Sequence, residues 1–501
     1  MTKSALIAGA IVAGLVLAPL TAVIWRAGAL EGLTPGDWAA LRFTLVQALL
    51  SAGVSVALAV PVAKALARRR FVGRGLLVAL LGAPFILPVI VAILGLLAVF
   101  GQNGILSRGL LAFGLPRIDI YGLHGVVLAH VFFNLPLATR LILQGWLAIP
   151  SERFRLAASL GMGPRDVARV LEGPMLRGIV PGAFAVIFVI CLSSFAVALT
   201  LGGGPRSTTL ELAIYQSVRF DFDLARAATL GLVQLGLALA AGLAAWALAG
   251  AVQIGGGLDR RVVMPGAGGW RRWADMAWLA LVAAFLLTPL AMIVAQGAGL
   301  WTLPASVWQS AGHSVMVALG STALCLALAL PLATRGGEAL ALIGLALSPL
   351  VLGIGLFLLV NPWVSPFALA LPVTALVNAL VSLPFAVRIL RPEAEAMRSD
   401  YGRLSAALGL RGWHQLRWVT WPRLRRPLGF SAGLTAALSM GDLGVIALFA
   451  DPDRATLPLQ VYRLMGAYRM DQAGAAALLL LILSLGLFWA FDRGGRVNAA
   501  A

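Results

Sequence analysis

Apolar residues along this chain come in long, nearly uninterrupted stretches, without the strict alternation of a half-buried strand or the narrow stripe of a surface helix. Such stretches return at roughly 5–24, 43–65, 76–100, 122–142, 180–201, 226–249, 273–294, 314–334, 340–360, 368–388, 428–449 and 473–491, separated by charged or Gly/Pro-rich breaks. Each is long enough for the about 20 residues that a bilayer core requires. They predict an all-α integral membrane protein with twelve transmembrane helices, and no catalytic domain of ordinary size fits between them. Sixty per cent of the 501 residues are apolar, 12% are charged and the mean hydropathy is +0.93, so lipid is the expected solvent. The first stretch follows Lys3, and Ala27-Gly28-Ala29 faintly resembles a signal-peptidase site. Its apolar length exceeds the ~7–15 residues of a signal peptide, which points to a retained helix.

Charge adds orientation. The net charge of +18 would suit nucleic acid only if the basic residues shared one soluble face, whereas they sit in short loops between apolar spans. With the N-terminus cytoplasmic, most of the 38 Lys and Arg fall on the inner side, including the two longest basic loops, 140–179 and 388–427. Both termini are then cytoplasmic, and any soluble partner is expected at those loops. Cys191 and Cys325 lie inside apolar spans, where a thiol behaves as a small hydrophobe.

The chain also repeats itself. Leu135-Pro136 with Arg140 recurs as Leu383-Pro384 with Arg388, and Arg155-Leu156-Ala157-Ala158-Ser159-Leu160-Gly161 recurs as Arg403-Leu404-Ser405-Ala406-Ala407-Leu408-Gly409. Pro174 maps to Pro422 and Asp223 to Asp471 at the same displacement, while Ser51 and Pro61 match Ser321 and Pro331 at a slightly larger one. Two homologous six-helix halves are expected, 1–252 and 273–501, joined by a cytoplasmic linker at 253–272. Both have the same orientation, with a pathway between them.

In each half a glycine, Gly161 or Gly409, ends one helix. About a dozen residues of helical character come next, and Pro174 or Pro422 is expected to start the return toward the membrane. This Ala-rich segment, Gly, and Pro thirteen residues on resembles the cytoplasmic loop of binding-protein-dependent ABC importer permeases. The family usually starts the motif with Glu, and this chain has Arg155 and Arg403 there. The resemblance implies a type I ABC permease whose segments 162–173 and 410–421 are coupling helices on two copies of a cytoplasmic ABC ATPase. Ala157, Gly161, Arg165, Arg169 and Pro174 would serve in the first half, with Ala406, Gly409, Arg411, Arg417 and Pro422 in the second.

A second resemblance is more specific. Phe195 to Pro205, Tyr215-Gln216, Arg219 to Ala227 and Met440 to Phe449 look like the fused permease of bacterial thiamine importers. It implies import of thiamine, with thiamine phosphates as an alternative form, delivered by a periplasmic substrate-binding protein across the bacterial inner membrane. No cofactor would be bound directly, ATP being used by the partner subunits, and no metal site is expected. Asp442 is the one acid placed deep within a span, Asp275 lying at the very edge of another, and Ser194 is its counterpart. Either it has a structural role, capping a helix broken at Gly441 or pairing with an Arg, or it lines a pathway for a cationic ring together with Ser193, Ser194, Phe195 and Gly441. The outer segments 202–225 and 450–472 carry mixed charge, Glu211 included, and are candidates for binding-protein docking.

Three rivals are weaker. A fused ferric-iron permease would share the layout but offers too few hard oxygen ligands here. A twelve-helix secondary transporter would place its longest cytoplasmic segment between the halves, whereas here the long loops lie within them. A membrane enzyme lacks support in the four scattered histidines, which show no metal-ligand spacing. No Gly-x-x-x-x-Gly-Lys-Ser/Thr phosphate loop exists in the chain, so ATP hydrolysis belongs to a partner.

Overall fold

A computed structural model describes residues 3–27, 32–82, 86–204, 207–248, 269–345, 348–410, 412–449 and 452–496, and among them the chain is helical with no strand. The first half contains α1 (Lys3–Ala27), α2 (Pro35–Arg68), α3 (Arg74–Leu80), α4 (Val89–Phe100), α5 (Ile105–Ala112), α6 (Leu123–Ala148), α7 (Ser151–Ser159), α8 (Pro164–Val167), α9 (Gly173–Leu192), α10 (Phe195–Leu201), α11 (Leu210–Arg219) and α12 (Leu224–Leu248). The second half contains α13 (Trp270–Gln296), α14 (Ala305–Leu332), α15 (Arg335–Leu345), α16 (Pro349–Val360), α17 (Ala370–Ala407), α18 (Gly412–Gln415), α19 (Trp421–Met440), α20 (Gly444–Phe449), α21 (Leu457–Gly466) and α22 (Met470–Arg496). Positions 253–268 of the expected linker lie outside the described residues, and α13 starts at Trp270, inside the linker's expected end.

Eleven helical stretches among the described residues are long and apolar enough to cross a bilayer. The remaining predicted span, 340–360, is delivered in two pieces, α15 and α16. Three more spans expected as single helices are also broken: 76–100 into α3 and α4, 180–201 into α9 and α10, and 428–449 into α19 and α20. Apolar composition says that a segment leaves water and says nothing of its continuity. Pro88 caps the start of α4, Pro349 opens α16 and Gly441 ends α19.

A broken helix at membrane depth survives only where its freed backbone groups find partners in protein or line a cavity. The end of α9 shows the first solution. Gln47 Nε2 donates to the carbonyl of Cys191 (2.8 Å) and Gln234 Nε2 to that of Leu192 (3.1 Å). Both glutamines are fully buried.

The halves interlock. Helix α1 packs on α16 of the second half, and α13 packs on α4 of the first. At each crossing a glycine meets a proline carbonyl. A Cβ on Gly355 would lie 2.4 Å from the Pro19 oxygen, and one on Gly95 would lie 2.6 Å from the Pro289 oxygen. Such approaches require glycine, as in close helix contacts within membranes generally.

Ion pairs gather at the two ends of the bundle. Lys64 of α2 pairs with Glu172, and Arg68 and Arg69 both grip Asp275 at the start of α13. These join three segments that the charge pattern assigns to one side. At the opposite end, Thr34 and Asp37 form a capping box on α2, and Asp37 accepts from Arg226 at 2.8 Å.

Candidate functional site: a cavity where four helices break

The four helix breaks meet. Between the halves lies a cavity of ≈ 440 Å³, and Pro88, Ser194, Pro349 and Gly441, one from each break, line it. All five expected pathway residues, Ser193, Ser194, Phe195, Gly441 and Asp442, are on its wall.

Asp442 caps a helix and also stands on the cavity wall. Its Oδ1 accepts from the Gly444 backbone N–H at 3.2 Å, capping α20. Its Oδ2 is buried without a hydrogen-bond partner, and the Asn378 amide, which donates to Ser439 Oγ at 3.0 Å, stands close by. Ser194, its counterpart, lies 2.5 Å from His130 Nε2, while His130 Nδ1 is 3.1 Å from Ser51. His130 and Asn378 are separated by the same displacement as Ser194 and Asp442, so the halves present unlike side chains from equivalent positions. Phe195 meets Tyr215 edge-on, with centroids 5.2 Å apart.

One expectation is overturned. Glu211, expected on an outer docking segment, is buried, lines the same cavity as Asp442 and accepts from Ser348 Oγ at 2.7 Å. It therefore does not belong to an exposed docking face. Helix α11, which carries it, is none of the membrane-spanning helices. Burial pushes the Glu211 carboxyl up to about 7, and the Ser348 bond acts in the opposite direction. Among the described residues lining the cavity there is no Lys or Arg.

A partly open, largely apolar chamber between two halves, with two carboxylates and an aromatic ring on its wall, suits a small polar solute. The sequence comparisons agree. The chain is 39% identical over 477 residues to the thiamine transport system permease protein ThiP of Brucella abortus, covering 91% of this chain and 87% of that one. It belongs to this permease family. The Escherichia coli protein of the same description is 38% identical over 484 residues, covering 91% and 89%, and that of Haemophilus influenzae 34% over 478, covering 90% and 87%. No family model matches the chain.

The permease ends α7 and α17 in the same way. Gly161 (φ +67°) and Gly409 (φ +64°) take the left-handed conformation that favours glycine. Around them Met162 N–H donates to Ala157 O and Leu410 N–H to Ser405 O, both at 2.9 Å, while Gly161 and Gly409 bond Ala158 and Ala406 at 3.1 Å. This is one helix-terminating motif built twice.

Beyond each glycine the chain departs from the expected short helix held between two turns. Helices α8 and α18 each give way to a π-helical turn, Ala168–Glu172 and Leu416–Thr420, which runs directly into α9 and α19. There is no second turn at Pro174 or Pro422, which sit in the first turn of those helices. A proline cannot supply the i→i−4 bond, and a wider turn ahead of it relieves the clash. Glu172 in the first π turn is buried, paired with Lys64 and bonded by Trp146 Nε1 at 3.4 Å.

Gly161, Arg165, Arg169, Pro174, Ala406, Gly409, Arg417 and Pro422 are exposed. Ala157 is not: it faces inward at 2% exposure, and its counterpart Ser405 is buried too, because their side of each helix is the packed one. Arg411 lies outside the described residues. Leu156, Leu160, Leu404 and Leu408, which belong to the repeated segment but were assigned no role, stand more than half exposed beside the glycines. Arg155, in place of the family's usual Glu, pairs with Glu152 at 2.8 Å on the surface.

Proposed function

We propose that this permease is the transmembrane subunit of an ATP-driven ABC importer that moves thiamine, as the free vitamin or as its phosphates, from periplasm to cytoplasm. The observation that carries this reading is the cavity at the four helix breaks, walled by both halves and bearing Asp442, Glu211 and Phe195. A thiazolium cation would be stabilised there by carboxylates and by the face of an aromatic ring. Membership of the thiamine permease family supports the same cargo.

Two copies of a cytoplasmic ABC ATPase dock on the paired elements after Gly161 and Gly409, and a periplasmic binding protein delivers the cargo. The permease binds no cofactor of its own. ATP binding and hydrolysis in the partner bias two arrangements of the halves, and the continuous path from α8 through the π turn into α9 carries that bias to the break at Ser193. The two halves, the second opening with α13 at Trp270, lie in the inner membrane with both termini cytoplasmic.

Uptake of radiolabelled thiamine at limiting concentration, in cells with and without this gene, tests the reading. Uptake is expected to collapse without the gene and to return with it. Equal uptake in both would overturn the proposal. Docking is tested separately: bulky residues at Gly161 and Gly409 are expected to abolish ATPase co-purification and transport, and retention of both would remove the coupling assignment.

A further inference from the structure

We infer that Glu211 is a second anionic contact for the cargo, contributed by the first half and complementing Asp442 from the second. The inference rests on the reading of a cationic thiazolium cargo and adds the residue that the sequence placed outside.

Glu211 is held with little freedom. Helix α11 is capped by Thr209 and located by the Leu210 N–H donating to Thr44 Oγ1 at 2.9 Å, so the second residue of the helix is presented to the cavity. Its carboxylate accepts from Ser348, a residue of the other half that also caps α16 by accepting from Leu350 N–H at 3.2 Å. Ser348 itself is not on the cavity wall.

The bond to Ser348 suggests a purely structural role, and the molecule contains its own control. In the second half, α21 is located by an equivalent bond, the Leu457 N–H donating to Ser314 Oγ at 2.7 Å. The next residue there is Pro458, so no acid stands in that place. Helix α4, which corresponds to α16, starts at Pro88 without any side-chain cap. The fold thus builds the same junction without a carboxylate. A buried carboxylate is costly, and retaining one on the wall of a pathway is most simply a matter of the solute that passes.

Its surroundings match a delocalised cation. Tyr215 lies one turn along α11 from Glu211 and meets Phe195 edge-on. Phe195, Glu211 and Asp442 share one cavity, with no Lys or Arg among the described lining residues. Acid and aromatic ring together form the pattern that recognises such cations.

The test compares thiamine uptake by the complete transporter, reconstituted with its ATPase and binding protein, in the unsubstituted form and as Glu211→Gln, Glu211→Asp and Ser348→Ala. Glu211→Gln is expected to lower the maximal rate at least about tenfold, since it keeps the shape and removes the charge. Glu211→Asp should retain part of the rate, and Ser348→Ala should stay within about threefold of the unsubstituted complex. Full uptake by Glu211→Gln, or a loss in Ser348→Ala as deep as in Glu211→Gln, overturns the inference. If Glu211→Gln does not assemble, Glu211→Met repeats the comparison, and failure of both to assemble makes Glu211 structural and overturns it too. Absence of thiamine uptake by the unsubstituted complex sinks the cargo reading first, and this inference with it.

Discussion

The two oxygens of Asp442, a residue on the cavity wall, differ: one caps α20 and the other is buried without a hydrogen-bond partner. The two roles can be separated. Asp442→Asn keeps an acceptor for the Gly444 N–H, so its stability should change by less than about 1 kcal/mol. Thiamine uptake should nevertheless fall about tenfold or more if the charge meets the cargo. Thermal unfolding of the detergent-purified complex and uptake in proteoliposomes read the two effects independently, and undiminished uptake would remove Asp442 from the pathway. Asp442 was legible in the sequence because an acid inside an apolar span stands out. Glu211 was not, since Arg219, Asp221 and Asp223 nearby make its segment read as a solvated loop. What buries it is Thr44 and Ser348, far away along the chain. His130 and Asn378 could have been found by carrying the repeat displacement onto the polar residues within spans.

Single elements decide how force would travel. The glycines that end α7 and α17 were predictable from composition and spacing, because few other residues adopt positive φ at low cost. Gly161→Ala should cost about 1–2 kcal/mol locally and weaken retention of the ATPase during purification. The π turns beyond them were not predictable, since they arise from fitting Pro174 and Pro422 into helices that continue through them. The first π turn is anchored by the ion pair of buried Glu172 with Lys64, whereas the equivalent positions in the second half are Thr420 and Thr334. Glu172→Gln would leave Lys64 without its counter-charge and loosen the first element from α2. Because Lys64 is partly exposed, the cost should be about 1–2 kcal/mol, below that of a fully buried pair. The expected signature is ATP hydrolysis that continues while thiamine uptake per ATP falls. An unchanged ratio would show that this pair carries no part of the coupling.

At the scale of the whole molecule, each half borrows the first helix of the other. Gly355→Val would drive a side chain into the Pro19 carbonyl, where even a Cβ would lie at 2.4 Å. A loss of roughly 1–3 kcal/mol is expected, read as a lower unfolding temperature of the purified protein, with Gly355→Ala milder. A wild-type unfolding temperature in the valine protein would mean that the two helices do not cross there. The same interlock predicts that fragments 1–252 and 253–501, expressed together, co-purify, whereas either alone is poorly recovered. The repeat announced two halves but could not show that they exchange helices. A repeat records common ancestry of segments, and packing partners are chosen by surfaces.

Taken by itself, the sequence determined the membrane as solvent, the all-helical class, the two similar halves and the glycine stops. All of these come from local length, hydropathy and charge, which a chain carries wherever it folds. Only the tertiary structure decided where spans break, that the four breaks converge, that Glu211 turns inward and that Ala157 faces the packing instead of the surface. Those outcomes depend on helix rotation and on which distant segment covers which face, and neither is written in any one stretch of residues.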